Sequence, residues 1–255
     1  MTERARKPRV VCITQARMGS TRLPGKVLLT VAGRPLLAHQ VARLRRAALV
    51  DEVVVATSDG PADDAIASLC RRLGVACFRG SEHDVLDRFY RAAVAYNADV
   101  AVRVTGDCPL IDPGLIDQLL TLFLASDPPL DHAAVDIVHY PRGLDAEAIS
   151  MPALQTAWRE ATAAFEREHV TPYIYRRPSR FRLGALPPPA GPAPVEMGPQ
   201  RWCVDTVEDF QLVRRLLEAL LPVTPDFTWT DCLALLRQHP DWALLNRDVA
   251  QKTLP

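Results

Sequence analysis

Between residues 10 and 125, short apolar runs alternate with longer stretches whose apolar positions recur every three or four residues. Val10–Thr14, Glu52–Thr57, Val75–Phe78 and Asp99–Thr105 are brief, largely β-branched or apolar, and bounded by charged or turn-forming residues, so each predicts a strand. Between them Ile66, Leu69, Cys70 and Leu73 fall at i, i+3, i+4 and i+7, as do Leu86, Phe89, Tyr90 and Ala93, which is the spacing of one helical face. Ile116, Leu119, Leu120, Phe123 and Leu124 continue the theme behind Asp112-Pro113, an N-cap followed by proline at the first helical position. Strand and helix in alternation predict a three-layer α/β fold with a mainly parallel sheet covered by helices on both faces.

The alternation breaks after residue 125. Ser126–Leu130 predicts a proline-containing turn, and Leu186–Pro199 is too rich in proline for helix or central strand, so it predicts a surface loop or flap. The stretch of about 131–185 predicts an excursion from the sheet, before Arg201–Val204 returns as a strand and Val207–Leu220 as a helix. One domain over 1–255 is expected, with an inserted subregion at about 131–200.

Composition narrows the class. With 30 basic and 30 acidic residues the chain has no global positive field to draw nucleic acid or an anionic membrane. Met1–Arg9 is polar and basic with no apolar stretch behind it, and no run approaches the ~18 apolar residues of a membrane span, so a cytoplasmic protein is expected. The six cysteines lie far apart without zinc-ligand spacing, which predicts small buried hydrophobes in a reducing compartment. His132 and His139 with Asp131 and Asp136 fit no standard pattern of metal ligands.

The sharpest chemical feature follows the first strand. Gln15-Ala16-Arg17-Met18-Gly19-Ser20-Thr21-Arg22-Leu23-Pro24-Gly25-Lys26 gathers glycines, hydroxyls, two arginines and a lysine in one loop at a strand's carboxyl end, where open α/β sheets place ligands. Such a loop can cradle a triphosphate, its N–H groups aimed at phosphate oxygens while Arg17, Arg22 and Lys26 supply charged donors. Val27 after the lysine excludes the G-x-x-x-x-G-K-[ST] phosphate loop, and G-x-G-x-x-G is absent. A triphosphate also calls for a cation to neutralise its oxygens, and Mg²⁺ is usually held by one or two carboxylates plus water. Asp107 follows the strand Asp99–Thr105 across Gly106, and Asp205 follows Arg201–Val204 in the same manner. Asp205 could instead cap the helix from Val207, with Asp209 the reserve ligand.

The run Gln15–Lys26 with Val27-Leu28 resembles the signature of the cytidylyltransferase family that includes the CMP-ketodeoxyoctonate and CMP-acylneuraminate synthetases. It is most similar to the branch named after the spore coat polysaccharide biosynthesis protein SpsF. Asp51–Asp59, Gly80–Arg88, Arg103–Asp112 and Arg201–Asp209 match that branch in order, with Pro141–Glu147 and Arg167–Tyr173 in its middle region. The resemblance implies a nucleotide-diphosphosugar transferase (Rossmann-like, GT-A type) fold, CTP as substrate, and Asp107 and Asp205 as carriers of Mg²⁺. It places the nucleotide near Gln15, Ala16, Gly19, Ser20, Thr57, Asp87 and Arg88, with Arg103 and Thr105 able to reach the cytosine edge or a phosphate. Arg142, Asp145 and Glu147, with Glu168 and His169, combine anion donors with carboxylates that could hold a small acidic, sugar-like acceptor. The inserted subregion implies a homodimer, as in similar synthetases. The alternatives are a pyrophosphorylase using another nucleoside triphosphate with a sugar 1-phosphate, a non-catalytic nucleotide-sugar-binding protein and, more distantly, a dinucleotide-dependent oxidoreductase.

Overall fold

The computed structural model describes residues 6–189 and 200–251. In chain order its elements are β1 (Val10–Gln15), β2 (Thr30–Val31), β3 (Arg34–Pro35), α1 (Leu36–Leu44), β4 (Glu52–Ser58), α2 (Asp64–Leu73), β5 (Ala76–Gly80), α3 (Val85–Ala95), β6 (Val100–Thr105) and α4 (Pro113–Ala125). There follow β7 (His132–Ala134), β8 (Glu147–Ser150), α5 (Met151–Glu160), α6 (Ala164–His169), α7 (Pro172–Tyr175), β9 (Leu183–Ala185), α8 (Val207–Leu220) and α9 (Trp229–Gln238). Most of the expected proline-rich flap, 190–199, lies outside the described residues.

One seven-stranded sheet runs in the order β5-β4-β1-β6-β8-β7-β9. The four strands read from the β-branched runs pair in parallel; β8 lies antiparallel on β6, β7 antiparallel on β8, and β9 parallel on β7. Because successive side chains of a strand point to opposite faces, the alternation divides the core in two. Val10, Cys12, Val102 and Val104 face a core closed by Leu37 of α1, Ile66 of α2, Ile116 of α4 and Leu212 of α8. Val11, Ile13, Val54 and Ala101 face a second, closed by Leu86 and Phe89 of α3, Leu154 of α5 and Ile174 of α7.

Two expectations change. The stretch 131–185 does not leave the sheet, since β7, β8 and β9 extend it beyond β6. Arg201–Val204 is not a strand: it makes a single bridge to Arg142, through Arg142 N–H to Gln200 O at 2.9 Å and Trp202 N–H to Arg142 O at 2.6 Å. The ladder stops there because Gly143, at φ +101°, turns the partner chain away, and its Cα lies so close that a Cβ would stand 2.6 Å from the Trp202 carbonyl carbon.

β1 pairs with β4 on one side and with β6 on the other, so the crossovers leave in opposite directions at β1/β6. Open α/β sheets bind ligands outside the carboxyl ends of the strands at such a point.

Candidate active site

A cleft of about 390 Å³ opens at that point. Its floor is the turn after β6, where the Gly106 N–H donates to Gln15 O at 2.7 Å and a Cβ on Gly106 would come within 2.8 Å of the same oxygen. Only glycine lets the turn carrying Asp107 lie this close to the start of the Ala16–Gly25 loop.

That loop spends part of its backbone on itself. Met18 N–H donates to Asp63 at 2.7 Å, and the Ser20 and Gly25 N–H groups donate to Met18 O. Among the described residues, the N–H groups of Arg17, Gly19, Thr21 and Arg22 have no protein acceptor. A chain of free donors beside cationic side chains forms an anion-binding concavity.

At the loop's end Gly25 takes φ +69° and turns the chain into the short helical turn Lys26–Leu28. Lys26 Nζ then stands 2.6 Å from Asp107 and 2.7 Å from Asp205. Burial works to lower the pKa of this lysine, but the two carboxylates outweigh it and raise it. Burial likewise works to raise the Asp205 pKa, and Lys26, Arg22 and Arg201 overcome it and bring it down. Arg22 and Arg201 reach Asp205 at 2.8 and 2.6 Å. The α8 cap is Thr206, which forms a capping box with Asp209, so Asp205 is not needed as the cap. Asp209, fully buried, is engaged by Arg201 and Asn246 and stands behind the site.

Two carboxylates meeting at one cation position form an oxygen donor set that fits Mg²⁺. Among the described residues no group of three or more His, Cys, Asp or Glu could hold a metal unaided, so the remaining ligands would be water and substrate phosphate.

Of the residues read from the sequence, the cleft brings together Gln15, Ala16, Arg17, Gly19, Ser20, Arg22 and Lys26 from the loop, and Arg88 from α3. It adds Arg103, Thr105 and Asp107 along β6, Glu168 and His169 at the end of α6, and Asp205. Arg88 is almost fully buried, donates to Ser81 O, and keeps a buried Nε without a partner. Val170, at φ +72° and ψ −57° with Thr171 N–H donating to His169 O at 2.9 Å, forms a strained γ-turn that fixes the backbone beside Glu168 and His169.

Five sequence candidates do not line the cleft. Thr57 is buried at the end of β4. Asp87 faces outward, paired with Arg91 and accepting from Trp158 Nε1, both at 2.7 Å. Arg142 and Asp145 pair with each other at 3.3 Å, and Asp145 accepts the Gly143 N–H at 2.6 Å. Glu147 lies behind Arg103, which it meets at 2.5 Å, with His132 Nε2 on its other oxygen at 2.9 Å. Sequence reasoning passed over Val85, which enters from the first turn of α3 and had no signal beyond being apolar.

Burial works to raise the Glu147 pKa, but Arg103 and His132 overcome it and hold it at about 2, below the ordinary 4.5. A folded pKa below the unfolded one means that the unfolded chain takes up the extra proton, so stability rises with pH across this window. The contribution is complete above about pH 4.5 and is lost as pH falls toward 2. Urea midpoints compared at pH 5 and pH 3 should therefore fall less in Glu147→Gln than in the native chain. Equal slopes would show the carboxylate to be unpaired in solution.

A family described as Cytidylyltransferase matches residues 11–220. The chain is 36% identical over 239 residues to the spore coat polysaccharide biosynthesis protein SpsF of Bacillus subtilis, covering 92% of this chain and 96% of that one. It is 32% identical over 208 residues to the 3-deoxy-manno-octulosonate cytidylyltransferase of Geobacter sulfurreducens, covering 71% and 81%. The solved structure of a cytidylyltransferase from Leptospira borgpetersenii superposes with a TM-score of 0.86 at 29% identity, covering 96% of this chain and all of that one.

Proposed function

Because this chain belongs to the cytidylyltransferase family, we propose that it transfers CMP from CTP to an oxygen of a small acidic, sugar-like acceptor and releases pyrophosphate. The observation that carries this reading is the meeting of Lys26, Asp107 and Asp205 at the end of a loop with free N–H donors. The acidic acceptor takes its support from the Geobacter relative, whose name specifies a sugar acid.

In the mechanism the triphosphate lies along the N–H groups of Arg17, Gly19, Thr21 and Arg22. Mg²⁺ held by Asp107 and Asp205 would neutralise phosphate oxygens. The acceptor oxygen attacks the α-phosphorus, and the bond to the pyrophosphate oxygen breaks. Lys26, Arg22 and Arg17 take the charge that accumulates on the departing group. Catalysis in such a site is mainly positioning and fixed charge. A homodimer is part of the proposal, supported by Ile137 and Val138, which stand exposed in the 131–200 segment. So is a cytoplasmic location: the six cysteines are free thiols, and among the described residues no helix is long and apolar enough to cross a membrane.

The test is pyrophosphate release with each of the four nucleoside triphosphates against a panel of ulosonic acids, sugar phosphates and phosphonates. A simpler measurement isolates the base. At a hundred times its Kd a ligand bound only to the folded chain adds about 2.7 kcal/mol, a rise in Tm of about 5–10 °C for a chain of this size. With Mg²⁺, CTP should give that rise, and UTP, GTP and ATP at the same concentration less. A larger rise with a purine triphosphate would sink the assignment.

A further inference from the structure

A line of polar side chains crosses four strands behind the cleft. The residues are Gln15, Arg103, Glu147 and His132, and three of them continue the face of the second core. Gln15 stands two places beyond Ile13, Arg103 two beyond Ala101, and Glu147 two before Ile149. Pairing register puts Arg103 opposite Ile13 on β1 and opposite Glu147 on β8, while β7 brings His132 alongside β8.

The contacts run in one direction. His132, 4% exposed, meets Glu147 Oε1 at 2.9 Å. Glu147 Oε2 accepts from Arg103 Nη1 at 2.5 Å, and Arg103 Nε donates to Gln15 Oε1 at 2.9 Å. The last bond fixes the amide. With its oxygen committed to the guanidinium, Gln15 must turn Nε2 the other way, and that buried nitrogen has no partner. Arg103 Nη2 is likewise without a protein acceptor among the described residues. Both side chains line the cleft.

Leaving a buried donor such as Gln15 Nε2 unpaired is costly, so it is a site where a ligand atom can restore the bond. Donors alone select oxygen acceptors, and a guanidinium edge with an adjacent amide suits a carboxylate. Position decides which part of the substrate this is. The line is anchored from β8 and β7, and His169 lines the same cleft as Arg103. The phosphate loop's free donors, Lys26 and Arg88 occupy the rest of the cleft.

We propose that Arg103 and Gln15 form the acceptor-recognition pair, a fork of donors for the carboxylate of the acidic acceptor, and that Glu147 and His132 are positioning residues that hold it. The assignment rests on the CMP transfer proposed above. It removes Glu147 from direct contact with acceptor and moves Arg103 and Gln15 from the nucleotide to the acceptor.

The test uses 3-deoxy-manno-octulosonate and its carboxamide as acceptor probes, with CTP affinity measured separately by calorimetry in their absence. Arg103→Lys keeps the charge but loses the fork, and should lower acceptor kcat/KM about 30–100-fold, mainly through KM, with the CTP Kd changed less than about threefold. Gln15→Leu, which leaves the ion pair intact and guards against a folding failure, should cost about tenfold in the same way. Glu147→Gln should also cost about tenfold, Glu147→Asp should recover part of it, and Glu147→Gln added to Arg103→Lys should cost less than about twofold more. The native chain should prefer the acid to the carboxamide, and Arg103→Lys should narrow that preference. Additive losses, or an unchanged preference, would reduce the line to a structural one and overturn the assignment. If the variants weaken CTP binding as much as acceptor use, the pair reads cytosine and this assignment alone falls. If the native chain binds CTP but neither binds nor turns over the acid, the acceptor class falls and this assignment with it.

Discussion

Asp107→Asn should lower kcat about a thousandfold, close to 4 kcal/mol in the barrier, while leaving the circular dichroism spectrum unchanged. The carboxylate accepts from Thr105 Oγ1 at 2.7 Å and from Lys26 Nζ at 2.6 Å. An asparagine keeps the first bond, because its carbonyl oxygen can take the same place. It cannot keep the second without turning its own N–H₂ away from the ammonium, and it brings no charge to the point where phosphate oxygens must be neutralised. The packing of the turn is untouched, since Gly106 against Gln15 depends on the backbone. Steady-state pyrophosphate release, with the melting curve as control, decides the matter. A fall in kcat of less than about tenfold would remove Asp107 from the chemistry.

Lys26→Ala should lower kcat by about two to three orders of magnitude, while CMP, which lacks the β- and γ-phosphates, should bind within about threefold of its native affinity. Lys26 neutralises two carboxylates in the free protein, and under the proposed function it is also a cation that takes up charge from the departing group. Without it Asp107 and Asp205 face each other across the gap, with only Arg22 and Arg201 on the Asp205 side to offset them. Single-turnover rates with CTP and calorimetry with CMP measure the two effects separately. Equal losses for CMP and CTP would make Lys26 part of a general field.

The parallel half of the fold is legible in the sequence because its strands carry β-branched runs and its helices carry an apolar stripe. The cleft's main charges are legible for a related reason: Lys26 closes a glycine-flanked basic loop, and Asp107 follows a strand at a fixed short distance. Register across distant chain is not. Glu147 reads as an exposed acceptor ligand, yet the antiparallel pairing of β8 with β6 sets it against Arg103, 44 positions away, where no local pattern points. Asp87 and Arg88 are neighbours in one motif, but helical geometry turns one outward to Trp158 and the other into the cleft. The strands β7 and β9 are three residues each, too short for alternation to show, so 131–185 reads as an excursion while it extends the sheet. Arg201–Val204 has the apolar character of a strand but meets its neighbour only where Gly143 approaches.

The contacts that assemble the cleft also carry a consequence for how the chain folds. Lys26 meets Asp107 across 81 positions and Asp205 across 179, and Arg22 reaches the Ala250 carbonyl across 228. Asn246, in the same tail and beyond the last residue matched by the family, ties Arg201 to Asp209. Such long closures are entropically the slowest to form, whereas each parallel crossover of the first half spans only a few tens of residues. A chain emerging from a ribosome can therefore pair β1, β4, β5 and β6 and cover them in part with α1, α2 and α3 while Asp205, the second carboxylate at Lys26, is still unmade. Completion of the cleft then reports the last closure of the chain and not the formation of the sheet, and under the proposed function a lesion confined to the tail behind α9 can silence the site without touching the phosphate loop.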